Sequence, residues 1–344
     1  MHFQILEDTA NALVEDGKGI LAADESSGTM KNRFGSIGVE STEENRRNYR
    51  ECLFSTEGVD EFISGVILYD ETIRQDSSGG IPLIDILTHK GIIPGVKVDA
   101  GLKDLSGTKS ESVTEGIDGL GDRLAEYRDF GAKFTKWRAV LKIGSNTPSR
   151  YAINTNAHAL ARFASLSQEA GLVPIVEPEV IMDGSHDIEA CFDATEATQR
   201  EVYYQLAFHS VHLEGTLLKP NMVLSGKSAV TRADAEYVAE RTITCFKRTI
   251  PSAVPGVVFL SGGQSDEEAT VNLNAINQRA KSSCAPWKLS FSFGRGLQAA
   301  PLKAWRGMSD RNDKLQQAFR HRARLTSAAT RGMYEPSMEN DNPS

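Results

Sequence analysis

Lys219 closes the apolar run Gly215-Thr216-Leu217-Leu218 and is followed directly by Pro220. A proline disfavours helix at the residue before it, so the ammonium is left at the end of a short buried strand. A free lysine titrates near pH 10.4, and only about one in two thousand is neutral at pH 7. Burial and neighbouring positive charge both favour the neutral amine. A neutral amine in a dry pocket attacks carbonyls, and the product is a Schiff base. The bland alternative is a lysine that lies along apolar surface with its charge in water. The placement of the other charges decides between the two.

Those charges fall at the ends of apolar, β-branched runs. Asp24 ends the first, Lys97 and Asp99 the third, Lys136 and Arg138 lie on the fourth, and Glu177 and Glu179 follow the fifth. The seventh ends in Ser261-Gly262-Gly263 and the eighth in Gly294-Arg295. Lys136 and Arg138 are two apart and share one side of their strand, as do Glu177 and Glu179. Gathering so many ions at one end of several strands is costly unless they pair or bind something. Lys136 close to Lys219 would favour the neutral amine, and Glu177 could shuttle protons as that amine adds to a carbonyl and water leaves. The resulting iminium is an electron sink for breaking or making an adjacent carbon–carbon bond. Such chemistry requires neither metal nor cofactor.

Two further groups read as anion holders. Ser261-Gly262-Gly263 offers backbone N–H groups at close approach, and Gly294-Arg295 adds a guanidinium fork. Ser26, Thr29 and Arg33 follow the first run and could hold a second anion, with Lys97 as a further candidate. Arg138 and Ser292 complete the substrate-binding candidates. Two anion sites flanking one lysine suggest a substrate phosphorylated at both ends. His209 and His212 are three apart, but H-E-x-x-H is absent and no third ligand is near, so surface or partly packed histidines are expected.

Positioning these residues requires eight strands: Gly19 to Ala23, Ile63 to Tyr69, Ile93 to Val98, Ala132 to Leu141, Leu172 to Val176, Thr216 to Leu218, Val257 to Leu260 and Leu289 to Phe293. Most are separated by stretches that can hold a helix. Ala157, Leu160, Ala161 and Ala164 fall on one helical face, as do Ile117, Leu120, Leu124 and Tyr127. Ser41 and Glu44 have capping-box spacing before another helix. Strands alternating with helices predict parallel pairing and right-handed crossovers. The expected fold is α/β, a (β/α)8 TIM barrel with additional N- and C-terminal helices, whose chemistry gathers at the C-terminal ends of the strands. An open doubly wound sheet usually carries G-x-G-x-x-G after its first strand, and Asp24-Glu25-Ser26-Ser27-Gly28 is not that motif. No Pro-, Gly- or Ser-rich linker and no short repeat interrupts the chain, so one domain over 1–334 is expected, followed by a polar, flexible tail over 335–344.

The 344 residues suit such a barrel, and 40% hydrophobic with 24% charged content provides both a large core and a solvated surface. A net charge of −8 leaves no basic surplus for nucleic acid or a membrane surface. No apolar run approaches a membrane span, and the acidic start lacks the features of a signal peptide. Cys52, Cys191, Cys245 and Cys284 are far apart without a C-x-x-C pair, so reduced thiols and a cytoplasmic setting are expected.

Five segments carry a family resemblance. They are Gly17 to Ser26, Lys136-Trp137-Arg138, Val176-Glu177-Pro178-Glu179, Glu214 to Val223, and Phe259 to Ser265. Together they closely resemble class I fructose-1,6-bisphosphate aldolase, in register at every strand end from about Glu7 to Tyr334. The resemblance implies a barrel, usually a homotetramer. It implies reversible cleavage of fructose 1,6-bisphosphate to dihydroxyacetone phosphate and glyceraldehyde 3-phosphate. By position, Lys219 resembles the Schiff-base lysine and Glu177 the acid/base carboxylate, with Asp24, Lys136 and Glu179 as supporting groups. Ser261, Gly262, Gly294 and Arg295 match the ketose-side phosphate site, and Ser26, Arg33 and Lys97 the groups at the other end. Thr29 stands where animal members usually have serine, Asn32 where a lysine precedes the arginine (Lys31 is adjacent), and Phe293 where a tyrosine precedes Gly294. Tyr334 is the last tyrosine, whereas many members carry one at the end of a longer tail. A barrel acting mainly on sedoheptulose 1,7-bisphosphate, or a protein-binding scaffold, is the alternative.

Overall fold

The near-continuous apolar runs form strands buried on both faces, as expected where helices cover the outside of a parallel sheet. The computed structural model describes residues 3–341. Its strands are β1 (Gly19–Ala23), β2 (Ile63–Leu68), β3 (Ile93–Lys97), β4 (Leu102–Asp104), β5 (Ser112–Thr114), β6 (Phe134–Lys142), β7 (Val173–Ile181), β8 (Leu217–Leu218), β9 (Gly256–Phe259) and β10 (Lys288–Phe293). Eight of them close a barrel in the order β1-β10-β9-β8-β7-β6-β3-β2, every pair parallel. The remaining pair, β4 and β5, forms a separate antiparallel hairpin. That hairpin is absent from the sequence expectation because its strands are only three residues long, each with a single apolar residue. β7 also runs on to Ile181, so Glu177 and Glu179 lie within a strand rather than beyond one.

Strand parity divides the barrel interior into layers. Ile20, Ala22, Ile67, Phe134, Val173, Ile175, Leu217 and Val258 make an apolar lower layer. Continuing inward-facing positions on the same strands, two residues beyond Ala22, Phe134, Ile175 and Leu217, are Asp24, Lys136, Glu177 and Lys219. Residues of opposite parity, such as Trp137, Val176 and Leu218, join the outer core against the helices.

The N-terminal helix Phe3–Leu13 stops the bottom of the barrel. Its apolar face, Leu6, Ala10 and Leu13, with Val14 just beyond, packs into the lower layer. Glycines make the room: an added Cβ at Gly65 would lie 2.6 Å from Leu13, and one at Gly256 2.6 Å from Val14. Glu7 pairs with His212 at 2.7 Å, and the His212 ring stacks on Phe3.

Helix starts follow the caps in the sequence. Ser149 caps Arg150–Glu169 and its N–H and hydroxyl both meet Glu111, at 2.7 and 2.6 Å. Asp187 caps Ile188–Phe208, and Ser265 caps Asp266–Ser282. At Glu43–Phe54 the cap is Thr42, one residue after the expected Ser41. The Ser41 carbonyl instead receives Arg46 Nη1 at 2.6 Å, and Arg46 also clasps Glu71. Within the tail, Pro336–Asn340 forms a 3₁₀ turn, and Glu339 receives Arg322 and the Tyr334 hydroxyl. The last tail residues, 342–344, lie outside the described residues. Among the described residues, no helix is long and apolar enough to cross a membrane.

Truncating the stopper tests its share of the stability. Leu13→Ala removes a fully buried side chain, and urea unfolding should show a loss of about 2–5 kcal/mol. A loss within experimental error would mean that the helix end does not pack as described.

Candidate active site

The upper layer surrounds a cavity of 710 Å³ at the C-terminal ends of the barrel strands. Every candidate catalytic or substrate-binding residue from the sequence lines it: Asp24, Ser26, Thr29, Arg33, Lys97, Lys136, Arg138, Glu177, Glu179, Lys219, Ser261, Gly262, Gly263, Ser292, Gly294 and Arg295. His209 and His212 do not; they sit at the far end of helix Ile188–Phe208 and in the turn after it.

At the centre, Glu177 lies between two ammonium groups. Its Oε1 is 3.2 Å from Lys219 Nζ and its Oε2 3.1 Å from Lys136 Nζ. Lys136 Nζ also meets Asp24 Oδ2 at 2.6 Å. Lys136, Glu177 and Lys219 are each less than 5% exposed. Burial pushes the Glu177 carboxyl up, but the charges of Lys136, Lys219 and Arg138 outweigh it and hold the group below its usual range. Asp24 is depressed for the same reasons, burial being overcome by Lys136 and then Lys219. Burial works against the Lys136 ammonium, yet Asp24 and Glu177 more than offset it and hold that group above the ordinary lysine value. The centre is therefore a chain of alternating charge, Asp24, Lys136, Glu177, Lys219.

Lys219 is fixed although its own strand is only two residues long. Its N–H continues the ladder to the Val176 carbonyl at 2.8 Å. Beyond Pro220, which has no N–H to give, the Asn221 side chain takes over. Its Oδ1 accepts from Val180 N at 3.0 Å, and its Nδ2 donates to Thr195 Oγ1 at 3.1 Å. Asn221 thus joins the chain carrying the lysine to the strand carrying both glutamates. No pattern in the sequence marks it, because an amide after Lys-Pro looks like any loop residue.

The flanking cations are also held. Arg138 is paired with Glu179, and its N–H meets Asp99 Oδ2 at 3.2 Å. Lys97 pairs with Asp99 at 2.6 Å. Arg33 Nη1 donates to Glu25 Oε1 at 2.5 Å, the same oxygen that receives Gln298 Nε2 at 2.7 Å. Glu25 stands in the first motif of the sequence without an assigned part; its partners are remote in sequence and only folding brings them together. Ser26 caps helix Ser27–Gly35 and its Oγ lies 3.2 Å from the Thr29 hydroxyl.

On the opposite side, helix Arg295–Trp305 begins at Gly294 without a side-chain cap from that residue. The Gly296 N–H donates to Ser261 Oγ at 3.2 Å. Gly263 has φ +84°, where a side chain would be strained, and a Cβ at Gly262 would lie 2.9 Å from Glu179 Oε1. Ser292 Oγ is buried without a hydrogen-bond partner and faces the same space. Among the described residues, Arg295 has no carboxylate partner. A helix start whose own cap residue has no side chain, small residues and an unpaired guanidinium together suit a phosphate.

Breaking the centre has a pH signature. Asp24 and Glu177 bind protons less readily folded than unfolded. Their stabilisation is therefore fully present above their unfolded pKa, about 4, and is lost as the pH falls through the depressed folded values. Lys136→Met should cost about 3–5 kcal/mol at pH 7 by urea unfolding, because it strands buried carboxylates. The gap from wild type should narrow as the pH is lowered toward about 3; a gap independent of pH would contradict the charge assignment.

Comparison with known proteins agrees with this geometry. The sequence profile described as "Fructose-bisphosphate aldolase class-I" matches residues 5–344. Similar proteins include "Fructose-bisphosphate aldolase 4, cytosolic" of Arabidopsis thaliana, 54% identical over 93% of this chain and 81% of that protein. "Fructose-bisphosphate aldolase B" of Gallus gallus is 52% identical over 98% of this chain and 92% of its own. A solved fructose-bisphosphate aldolase from Plasmodium falciparum, in complex with TRAP and a small-molecule inhibitor, superposes with a TM-score of 0.94 at 47% identity, covering 96% of this chain and 95% of that one. With the family profile matched over nearly the whole length and relatives identical at more than half of the aligned positions, the chain belongs to the class I fructose-bisphosphate aldolase family.

Proposed function

We propose that Lys219 forms the Schiff base in reversible cleavage of fructose 1,6-bisphosphate to dihydroxyacetone phosphate and glyceraldehyde 3-phosphate. The observation that carries this reading is the buried Lys219 ammonium 3.2 Å from one oxygen of Glu177, whose other oxygen is held by Lys136. Glu177 is the base within reach of Nζ. Once it takes a proton, the neutral amine adds to the C2 carbonyl of the open-chain ketose. Glu177 returns the proton to the carbinolamine hydroxyl, water leaves, and an iminium remains. The C3–C4 bond then breaks with its electron pair drawn to the iminium nitrogen, while the C4 hydroxyl proton passes to a carboxylate of the central chain. The aldehyde departs. Protonation of the enamine at C3 and hydrolysis release dihydroxyacetone phosphate and free Lys219.

Lys136 remains protonated throughout, since Asp24 and Glu177 stabilise its charge. It keeps Glu177 ionised and ready to accept. Ser261, Gly262, Gly263, Ser292, Gly294 and Arg295 hold the phosphate on the ketose side, and Ser26, Thr29, Arg33, Lys97 and Arg138 receive the other end. Paired cations on that second side keep carboxylates near the sugar hydroxyls without leaving uncompensated charge.

Borohydride with dihydroxyacetone phosphate should trap one covalent adduct, located at Lys219 by peptide mass mapping. Lys219→Ala should abolish the adduct and lower kcat by at least about a thousandfold. Glu177→Gln should retain substrate binding while slowing adduct formation by about 10²- to 10⁴-fold. An adduct on another lysine, or a fully active Lys219→Ala, would overturn the assignment.

We also infer a cytoplasmic homotetramer. Cytosolic plant relatives support the compartment, and the family resemblance supports the assembly. Tyr204 and Phe208, one turn apart on helix Ile188–Phe208 and 63% and 71% exposed, are an apolar face suited to burial between subunits. Sedimentation equilibrium should return four times the mass of the 37.5 kDa chain; a monomer at micromolar concentration would refute the assembly.

A further inference from the structure

We infer that Lys227 is a phosphate-recruiting, specificity-determining residue on the ketose side of the cavity. The inference rests on the aldolase reading and adds a residue to which that reading gives no part. Lys227 lines the cavity together with Ser261, Gly262 and Gly263. A Cβ at Gly263 would lie 3.8 Å from Lys227 Cε and 2.5 Å from the Met182 Cβ.

The base of this lysine is rigid. Gly226 N donates to the His186 carbonyl at 2.9 Å, Lys227 N to the Met182 carbonyl at 2.8 Å, and Ser228 N to the Gly184 carbonyl at 2.9 Å. Gly226 approaches so closely that a Cβ there would meet the Gly184 carbonyl oxygen at 2.3 Å. The loop after β8 is thus zipped to the loop after β7, beside the turn after β9. A stiff backbone carrying a flexible four-carbon arm is suited to placing a point charge over that turn.

The head of the arm is lightly held. Lys227 Nζ pairs with Asp183 Oδ1 at 3.0 Å, with the two side chains 44% and 69% exposed. An ion pair this open contributes little and is easily exchanged. Apart from Arg295, which has no carboxylate partner among the described residues, the other flanking cations of the cavity are held by carboxylates that are less exposed than Asp183. Lys136 serves Asp24 and Glu177, Arg138 serves Glu179, Lys97 serves Asp99 and Arg33 serves Glu25. A phosphate monoester carries a charge of about −1.5 to −2 at pH 7, and Arg295 supplies only one compensating charge at the turn. Lys227 supplies the second by exchanging Asp183 for the incoming phosphate.

The experiment compares wild type, Lys227→Met, Lys227→Arg and Asp183→Asn. Borohydride trapping on wild type first tests the aldolase reading by itself. Lys227→Met should raise KM for fructose 1,6-bisphosphate about three- to tenfold with kcat within about twofold, and should flatten the dependence of kcat/KM on salt between about 20 and 200 mM. Lys227→Arg should restore the salt dependence, and Asp183→Asn, which frees the lysine, should lower KM. In parallel, calorimetric titration with inorganic phosphate should give weaker binding to Lys227→Met than to wild type. Unchanged KM, salt dependence and phosphate affinity in Lys227→Met would overturn the proposal. So would a fall in kcat at constant KM, which would indicate a structural part for the residue. If wild type forms no adduct, the aldolase reading fails, and the phosphate titration still decides whether Lys227 helps to hold the anion.

Discussion

One carboxylate shared by two ammonium groups governs the upper half of this barrel. Glu177 alone in an apolar interior would be driven to protonate, and Lys136 alone would be driven to lose its proton. Set between them, with Asp24 beyond Lys136, each charge is compensated by a neighbour on another strand. Such an arrangement is costly to desolvate and adds little net stability. Its value lies in keeping a proton acceptor ionised beside an amine while both side chains are almost wholly buried.

The rest of the fold serves that placement. Charge chains of this kind need strands whose ends converge, and a closed parallel barrel brings all of its C-terminal ends to one mouth. They also need an apolar floor, which the lower layer provides with Ile175 beneath Glu177 and Leu217 beneath Lys219 on the same strands. The second ring of ions, Arg138 with Glu179 and Lys97 with Asp99, then stands at the rim, where exposure is greater and the pairing costs less. Along β1, β6, β7 and β8 polarity therefore rises from floor to rim, and the transition occurs within two residues.

Much of this was readable from the chain because strand parity is strict. Lys136 with Arg138, and Glu177 with Glu179, must share a face wherever a strand passes through them, and a face turned toward helices cannot hold them. The family resemblance, carried by long segments such as Glu214 to Val223, added the parts to be played. What escaped was whatever depends on loops meeting loops. Asn221 replaces ladder bonds that a two-residue strand cannot make, Glu25 connects Arg33 to Gln298 across most of the sequence, and Lys227 reaches the cavity only because two loops are zipped together. The hairpin Leu102–Asp104 with Ser112–Thr114 lacked the apolar alternation that announces a strand. The cap at Thr42 was displaced by one residue because Arg46 engages Ser41 instead.

The helix that stops the barrel floor is made well before some of the strands on which it is seated. Its apolar face rests against Leu217 and Val258, and Val14 fills the hollow at Gly256, all more than two hundred residues downstream. At ordinary rates of translation the interval before those residues leave the ribosome is on the order of ten seconds or more. During that time Leu13 can already meet Gly65 on β2, but Val14 lacks its seat at Gly256 and the apolar face of the helix lacks the β8 and β9 part of the floor. Sealing the floor therefore waits on the strands that close the barrel, β8, β9 and β10, and the catalytic chamber above it has no complete floor before they are made.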